Sequence, residues 1–217
     1  MGQDRIVEKE PRILGFLAGE YISEKYPEIK NLINTLNRVC LPIAPGYAKF
    51  AGHTPIWNAA MDLAGRSIDW ESQPHIDPNT PRLAEWKGDL SKTMPDGLRV
   101  LVEIELGNSA SAFRDLAKFE LGRKMESFDF FLLGVPGPSA KKLIQYATSF
   151  DEIIKKKELY RLFISTPCII FEIEPECKLD VTKQTNNPPE FFKGRWGPVE
   201  SEIFLKNGDL SKVMQIE

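Results

Sequence analysis

The sequence predicts an α/β fold, a central mixed β-sheet flanked by helices, from three observations. Residues 98–107 alternate apolar and polar side chains with a period of two, the signature of a strand with two different faces. Residues 128–135 and 168–173 are short, almost continuous apolar runs bounded by turn residues, which reads as buried strand. Segments of helical spacing lie before and between these three, and helix, strand, helix, strand, helix, strand calls for a sheet covered by helices.

The elements follow in order. Ile22, Ile29, Leu32, Ile33, Leu36 and Val39 recur at three- and four-residue steps and predict helix within residues 13–40, closed by Pro42 and Pro45-Gly46. A second helix is expected to begin at Thr54-Pro55 and to run through Trp57, Met61 and Leu63 to Gly65, followed by a proline-rich loop over 71–81. In the alternating strand, Val100, Val102, Ile104 and Leu106 interleave with Arg99, Leu101, Glu103 and Glu105. Residues 108–124 open with small polar side chains and continue with Phe113, Leu116, Ala117 and Leu121 at helical spacing. After the strand at 128–135, Pro136-Gly137-Pro138 marks a turn, 139–147 a short helix and 150–163 mixed helix and loop. One domain over residues 1–217 is expected, with the polar stretch 178–217, anchored by Phe191, Phe192, Trp196 and residues 203–205, as a candidate C-terminal appendage.

Composition narrows the function classes. The chain of 217 residues is 42% hydrophobic and 27% charged, which excludes disordered, collagen-like and disulfide-scaffold proteins. A net charge of 28 − 31 = −3 gives no overall basic footprint for nucleic acid. The opening residues lack a secretory signal and no run of 18 apolar residues occurs, so no membrane partner is expected. Cys40, Cys168 and Cys177 are odd in number and lack Cys-x-x-Cys spacing, so neither a disulfide framework nor a thiolate zinc site is expected, and a reducing cytoplasm fits. With only His53 and His75 available, chemistry is expected to rest on carboxylates.

Glu103 and Glu105 lie two apart on one strand, which puts both on one face with about 6.6 Å between their Cα atoms. Two desolvated carboxylates at that spacing repel unless one is protonated or a cation sits between them, and Mg²⁺ prefers such oxygen ligands. Asp89 is placed to add a third oxygen group, because a hairpin around Met94-Pro95-Asp96-Gly97 returns the chain to Glu103. The competing reading is a half-exposed strand with a solvated acidic face. A second segment, Phe171-Glu172-Ile173-Glu174-Pro175-Glu176, is read as solvent-facing.

The string Val102-Glu103-Ile104-Glu105-Leu106-Gly107-Asn108-Ser109-Ala110-Ser111-Ala112-Phe113-Arg114 resembles the catalytic strand and following helix of the BamHI group of type II restriction endonucleases, E-x-E-x-G-N-x-S-S-x-x-R. Ala110 replaces the first serine of the pair and Ser111 matches the second. Gly88-Asp89-Leu90-Ser91-Lys92 is similar to the group's G-P-[IL]-D-x-x-K with the proline and one residue of spacing lost, and residues 204–209 weakly resemble a C-terminal P-K-G-[ST]-D-G. The resemblance implies the PD-(D/E)xK nuclease fold and Mg²⁺-dependent hydrolysis of double-stranded DNA at a short palindromic site by a homodimer. Under it, Asp89, Glu103 and the backbone carbonyl of Ile104 hold the metal. Glu105 stands where most of the superfamily has Lys and activates the attacking water, and Glu71 falls near the group's upstream acid. Asn108, Ser109, Ser111 and Arg114, at the start of the helix, would meet DNA in the major groove, with Lys118, Lys87 and Lys92 on phosphates. For Asn108 and Ser109 the alternative is helix capping.

The apolar stripe of residues 22–39 and the helix after Asn108 are the candidate dimer interfaces, although a stripe at helical spacing is more often core. The group's Asp-Arg pair for the outer bases has no counterpart near Ala147-Thr148, so no target sequence is carried over. The other functions in contention are a structure-specific repair or mobile-element nuclease of the same fold and a non-catalytic DNA-binding protein.

Overall fold

A six-stranded mixed sheet organises the chain, in the order β1 (Ile13–Phe16), β7 (Cys168–Ile173), β6 (Phe130–Pro136), β5 (Arg99–Ile104), β4 (Leu90–Thr93) and β3 (Glu71–Ser72). The computed structural model describes residues 10–46, 52–77, 79–80, 86–184 and 201. β5, β6 and β7 run parallel, and β1, β4 and β3 are antiparallel to their neighbours.

Both faces of the central strands are covered, which is why β6 reads as an unbroken apolar run. Phe130 and Leu132 point into one core with Ile29 and Leu36 of α2 (Pro27–Asn37) and Ile56 and Trp57 of α3 (His53–Arg66). Phe131, Leu133 and Val135 point into the other, with Leu116 and Phe119 of α4 (Ser109–Lys124) and Phe150 and Ile153 of α6 (Phe150–Lys155). β5 obeys the same division, with Val100, Val102 and Ile104 on the α2/α3 side and Leu101 on the α4 side.

The mixed α/β architecture with flanking helices agrees with the sequence expectation, and α3, α4, β5, β6 and β7 lie where the periodicities place them. Residues 13–40 differ. The segment breaks into β1, α1 (Gly19–Lys25) and α2, because residues 13–16 complete an edge against β7 and Pro27 starts a new helix at its first position. Leu17 and Ala18 make the intervening turn with φ of 49° and 67°. The helix expected over 139–147 shortens to α5 (Pro138–Lys141), while 150–163 resolves into α6 and α7 (Lys157–Phe163).

Ile29, Leu32, Ile33 and Leu36 are buried against the sheet, so the stripe of residues 22–39 is core and not a surface for a second copy. The cysteines also depart from expectation. Cys40 and Cys177 form a disulfide across a separation of 137 residues, beside a small parallel sheet of β2 (Leu41–Ile43) and β8 (Lys178–Asp180), while Cys168 is free and buried. Sequence spacing could not reveal this pairing, because tertiary packing alone brings residues 40 and 177 together. β8 and the 3-10 turn Val181–Gln184 order the start of the expected appendage. Phe191, Phe192, Trp196 and the 203–209 segment lie outside the described residues. No helix among the described residues is long and apolar enough to cross a membrane.

Candidate active site at the end of β5

The hairpin of β4 and β5 turns at residues 94–98, where Met94 N–H donates to the Leu98 carbonyl at 2.7 Å and Gly97 takes φ +90°, a value that suits glycine. Its register sets Leu90 against Val102, and the Asp89 N–H donates to the Val102 carbonyl at 3.0 Å. The chain thus returns Asp89 beside Glu103, and Asp89 Oδ2 accepts from the Ile104 N–H at 2.6 Å. Strand alternation then puts Asp89, Ser91, Leu101 and Glu103 on the side of the sheet that carries α4.

Glu103 is 2% exposed. Its Oε2 accepts from Lys118 Nζ at 2.7 Å, while Oε1 is buried without a hydrogen-bond partner. Glu105, just past the strand, is buried too, and its Oε1 accepts from the Gly107 N–H. A Cβ at residue 107 would stand 2.7 Å from Glu105 Oε1 and would make that carboxylate shift. Glu105 Oε2 lies 3.7 Å from Arg114 Nη2, and Arg114 keeps most of its side chain in solvent.

Asn108 caps α4 from an extended backbone conformation, its Oδ1 accepting from the N–H groups of Ala110 at 3.0 Å and Ser111 at 3.3 Å. The cap fixes where α4 starts, and helical spacing then carries Arg114, Asp115 and Lys118 back over the end of β5. Asp115 was not marked by the sequence, although its position one residue after Arg114 and three before Lys118 was the available signal. It is 1% exposed, with Oδ1 at 3.3 Å from Lys118 Nζ and 3.5 Å from Arg114 Nη2.

The electrostatics follow from burial. Asp89 is exposed at the residue level, yet desolvation by the surrounding protein pushes its pKa up to about 6, opposed by the hydrogen bond from the Ile104 N–H. Burial, then the charge of Asp89, drives Glu103 well above the usual carboxylate range, with Lys118 acting in the opposite direction. Glu105 rises to about 7, first through burial and then through Asp115, opposed by the Gly107 N–H. For Lys118, burial works to neutralise the amine, but Glu103 and Asp115 outweigh it and hold the group as ammonium. Fully ionised, four carboxylates (Asp89, Glu103, Glu105, Asp115) face two cations (Arg114, Lys118), and 4 − 2 leaves two uncompensated negative charges.

The remaining expected residues separate. Glu71 is exposed on β3, opposite Ser91, whose hydroxyl donates to it at 3.3 Å; it borders the group without joining it. Lys87 is exposed near Asp89. Lys92 does not face the site, because it lies on the α2/α3 side, donates to the Ile68 carbonyl at 3.1 Å and sits over the Trp70 ring. Lys118, expected on a phosphate, turns inward to Glu103 instead. Ser109 opens α4. Glu172, expected in solvent, is buried and paired with Arg12.

The donor set suits a hard cation. Two carboxylates, Asp89 and Glu103, converge beside the Ile104 peptide, and the orphaned Oε1 of Glu103 lacks a positive partner. Among the described residues, no cluster of three or more His, Cys, Asp or Glu side chains is arranged to hold a metal ion.

No protein-family model matches the chain, and no curated protein matches it. Among solved structures, the crystal structure of free BglII is similar at 14% identity and a TM-score of 0.46, over 76% of this chain and 79% of that one.

Proposed function

We propose that the chain is a Mg²⁺-dependent type II restriction endonuclease that cuts double-stranded DNA at a short palindromic site as a homodimer. The observation that carries this reading is the pairing of Asp89 with Glu103 at the end of β5, with Glu105 linked to them through Arg114, Asp115 and Lys118, beside the capped start of α4 and with a buried carboxylate oxygen left unpartnered. Asp89, Glu103 and the Ile104 carbonyl would hold the metal. When bound, the ion supplies a hydroxide near neutral pH and neutralises charge on the phosphate oxygens. Glu105, with its raised pKa, takes the proton of the attacking water. Asn108, Ser109 and Ser111 present the start of α4 to base edges in the major groove, while Arg114 at the rim and exposed Lys87 contact phosphate. Glu71 stands at the border of the site, held by the Ser91 hydroxyl.

Support for a homodimer comes from the outer side of α4, where Trp86, Phe113, Leu116, Leu121 and Phe163 line an open apolar groove of about 620 Å³. Phe113 and Phe163 are 44% and 54% exposed at this groove, where an apolar partner would cover them.

The test is digestion of unmethylated phage DNA with Mg²⁺ by the parent, Glu103→Ala and Glu105→Ala, followed by sequencing of the ends. A discrete ladder with one end sequence, lost in both variants, is expected. Undiminished cleavage by the variants overturns the site, heterogeneous ends indicate a structure-specific nuclease, and bound but intact DNA with the parent leaves a binding protein.

A further inference from the structure

Lys118 departs from its expected role as a phosphate contact. Its side chain is 12% exposed, and an ammonium at that depth is unfavourable unless opposite charges surround it. Two do: Glu103 at 2.7 Å and Asp115 at 3.3 Å, both almost wholly buried. Asp115 Oδ1 has no hydrogen bond of its own, so what offsets its burial on that side is the charge of its neighbours Lys118 and Arg114. Glu103 is divided, with Oε2 given to Lys118 and Oε1 left facing protein without a partner.

From this division we infer that Lys118, anchored by Asp115, is a built-in counter-ion of the candidate cation site: it balances Glu103 and sets how tightly a divalent cation binds through Oε1. The inference rests on the cation-site reading above and goes beyond it, because it gives Lys118 a role in metal affinity that requires no DNA. A fixed positive charge next to a ligand carboxylate weakens a second cation on the same group, and low local polarity strengthens the effect. Lys118 is accordingly a positioning residue. Its ammonium keeps the acidic group intact in the cation-free protein and holds metal affinity low.

The experiment is a Mn²⁺ titration of the DNA-free protein, free Mn²⁺ being read by its paramagnetic resonance signal, for the parent, Lys118→Met, Lys118→Arg and Asp115→Asn. Lys118→Met is expected to bind Mn²⁺ about tenfold more tightly. Lys118→Arg, which keeps the charge, should stay within about threefold of the parent, and Asp115→Asn should bind at least threefold more weakly because Lys118 then bears on Glu103 alone. Unchanged or weaker binding by Lys118→Met overturns the inference. Should that variant not fold, unchanged affinity in Asp115→Asn overturns it. If Lys118→Met instead lowers the salt dependence of DNA binding by about one charge with Mn²⁺ affinity unchanged, Lys118 is a phosphate contact and the inference fails. A parent that binds no Mn²⁺ sinks the cation site itself, which separates the two failures.

Discussion

Two Glu-Ile-Glu segments occur at the ends of parallel strands in this protein, Glu103-Ile104-Glu105 on β5 and Glu172-Ile173-Glu174 on β7, and they have opposite fates. At the β7 end each carboxylate has a dedicated donor. Arg12 grips Glu172 through Nε at 2.8 Å and through Nη2, and Glu174 accepts from the Ser139 N–H at 3.0 Å. Asn37 binds the backbone of the same segment, accepting from the Glu174 N–H at 2.7 Å and donating to the Glu172 carbonyl at 3.1 Å. At the β5 end two more carboxylates crowd in, one oxygen of Glu103 goes unpaired, and the pKa values of Asp89, Glu103 and Glu105 all rise. Identical spacing therefore does not make a site. The supply of positive partners decides, and shortage of them is the condition under which an added cation is favourable.

The comparison can be broken most sharply by exchanging the same substitution between the two ends. Glu103→Ala should reduce DNA cleavage by about 1000-fold or more with a folded protein, while Glu172→Ala should leave cleavage within a few-fold and lower stability in urea by about 2 kcal/mol, below the usual figure for a broken buried pair because Arg12 is partly in water. Equal losses of cleavage would remove the distinction.

Reduction of the Cys40–Cys177 disulfide should cost about 4 kcal/mol, since it closes a loop of 137 residues just beyond β7. Hydrogen exchange should then quicken at β2 and β8 before β5, and the reverse order would show that the disulfide does not serve the β7 end. Asn37→Ala should cost about 2 kcal/mol by urea unfolding, because it leaves buried backbone groups without partners.

A smaller effect concerns pH. The folded pKa of Glu105 stands at about 7 against an ordinary 4.5, so between these values the folded protein holds more protons than the unfolded chain and its stability falls as pH rises. Glu105→Gln should flatten the decline in urea midpoint between pH 5 and pH 8, and an unaltered decline would count against a raised pKa at this carboxyl. Asn108→Ala, which removes the cap of α4, should cost about 1 kcal/mol, measurable as a shift in thermal midpoint.

Much of the layout could be read from residues alone where the physics is local. Alternation over 99–106 located β5, the apolar runs located β6 and β7, and Asn108 followed by helical spacing located α4. Strands β1, β2, β3 and β8 escaped notice, since two to four residues carry too little period to stand out and each exists only because a distant partner offers an edge. Asp89 and Glu103 could be paired in advance because one tight hairpin joins them. Asp115 offered only its spacing to Arg114 and Lys118, a weak signal because an acid on a helix is ordinarily solvated and only the docking of α4 over β5 buries it.

The sequence by itself determined which segments become the central strands and the capped helix, and it brought three carboxylates to one hairpin, because periodicity, capping and turn chemistry act over a few residues. Only the tertiary structure decided that Lys118 turns inward, that Lys92 faces the other way, that Cys40 meets Cys177, and that one Glu-Ile-Glu is satisfied while the other is left short of positive charge. Those outcomes depend on which side chains burial brings together across the chain, and burial strengthens every pairing made and every pairing missed.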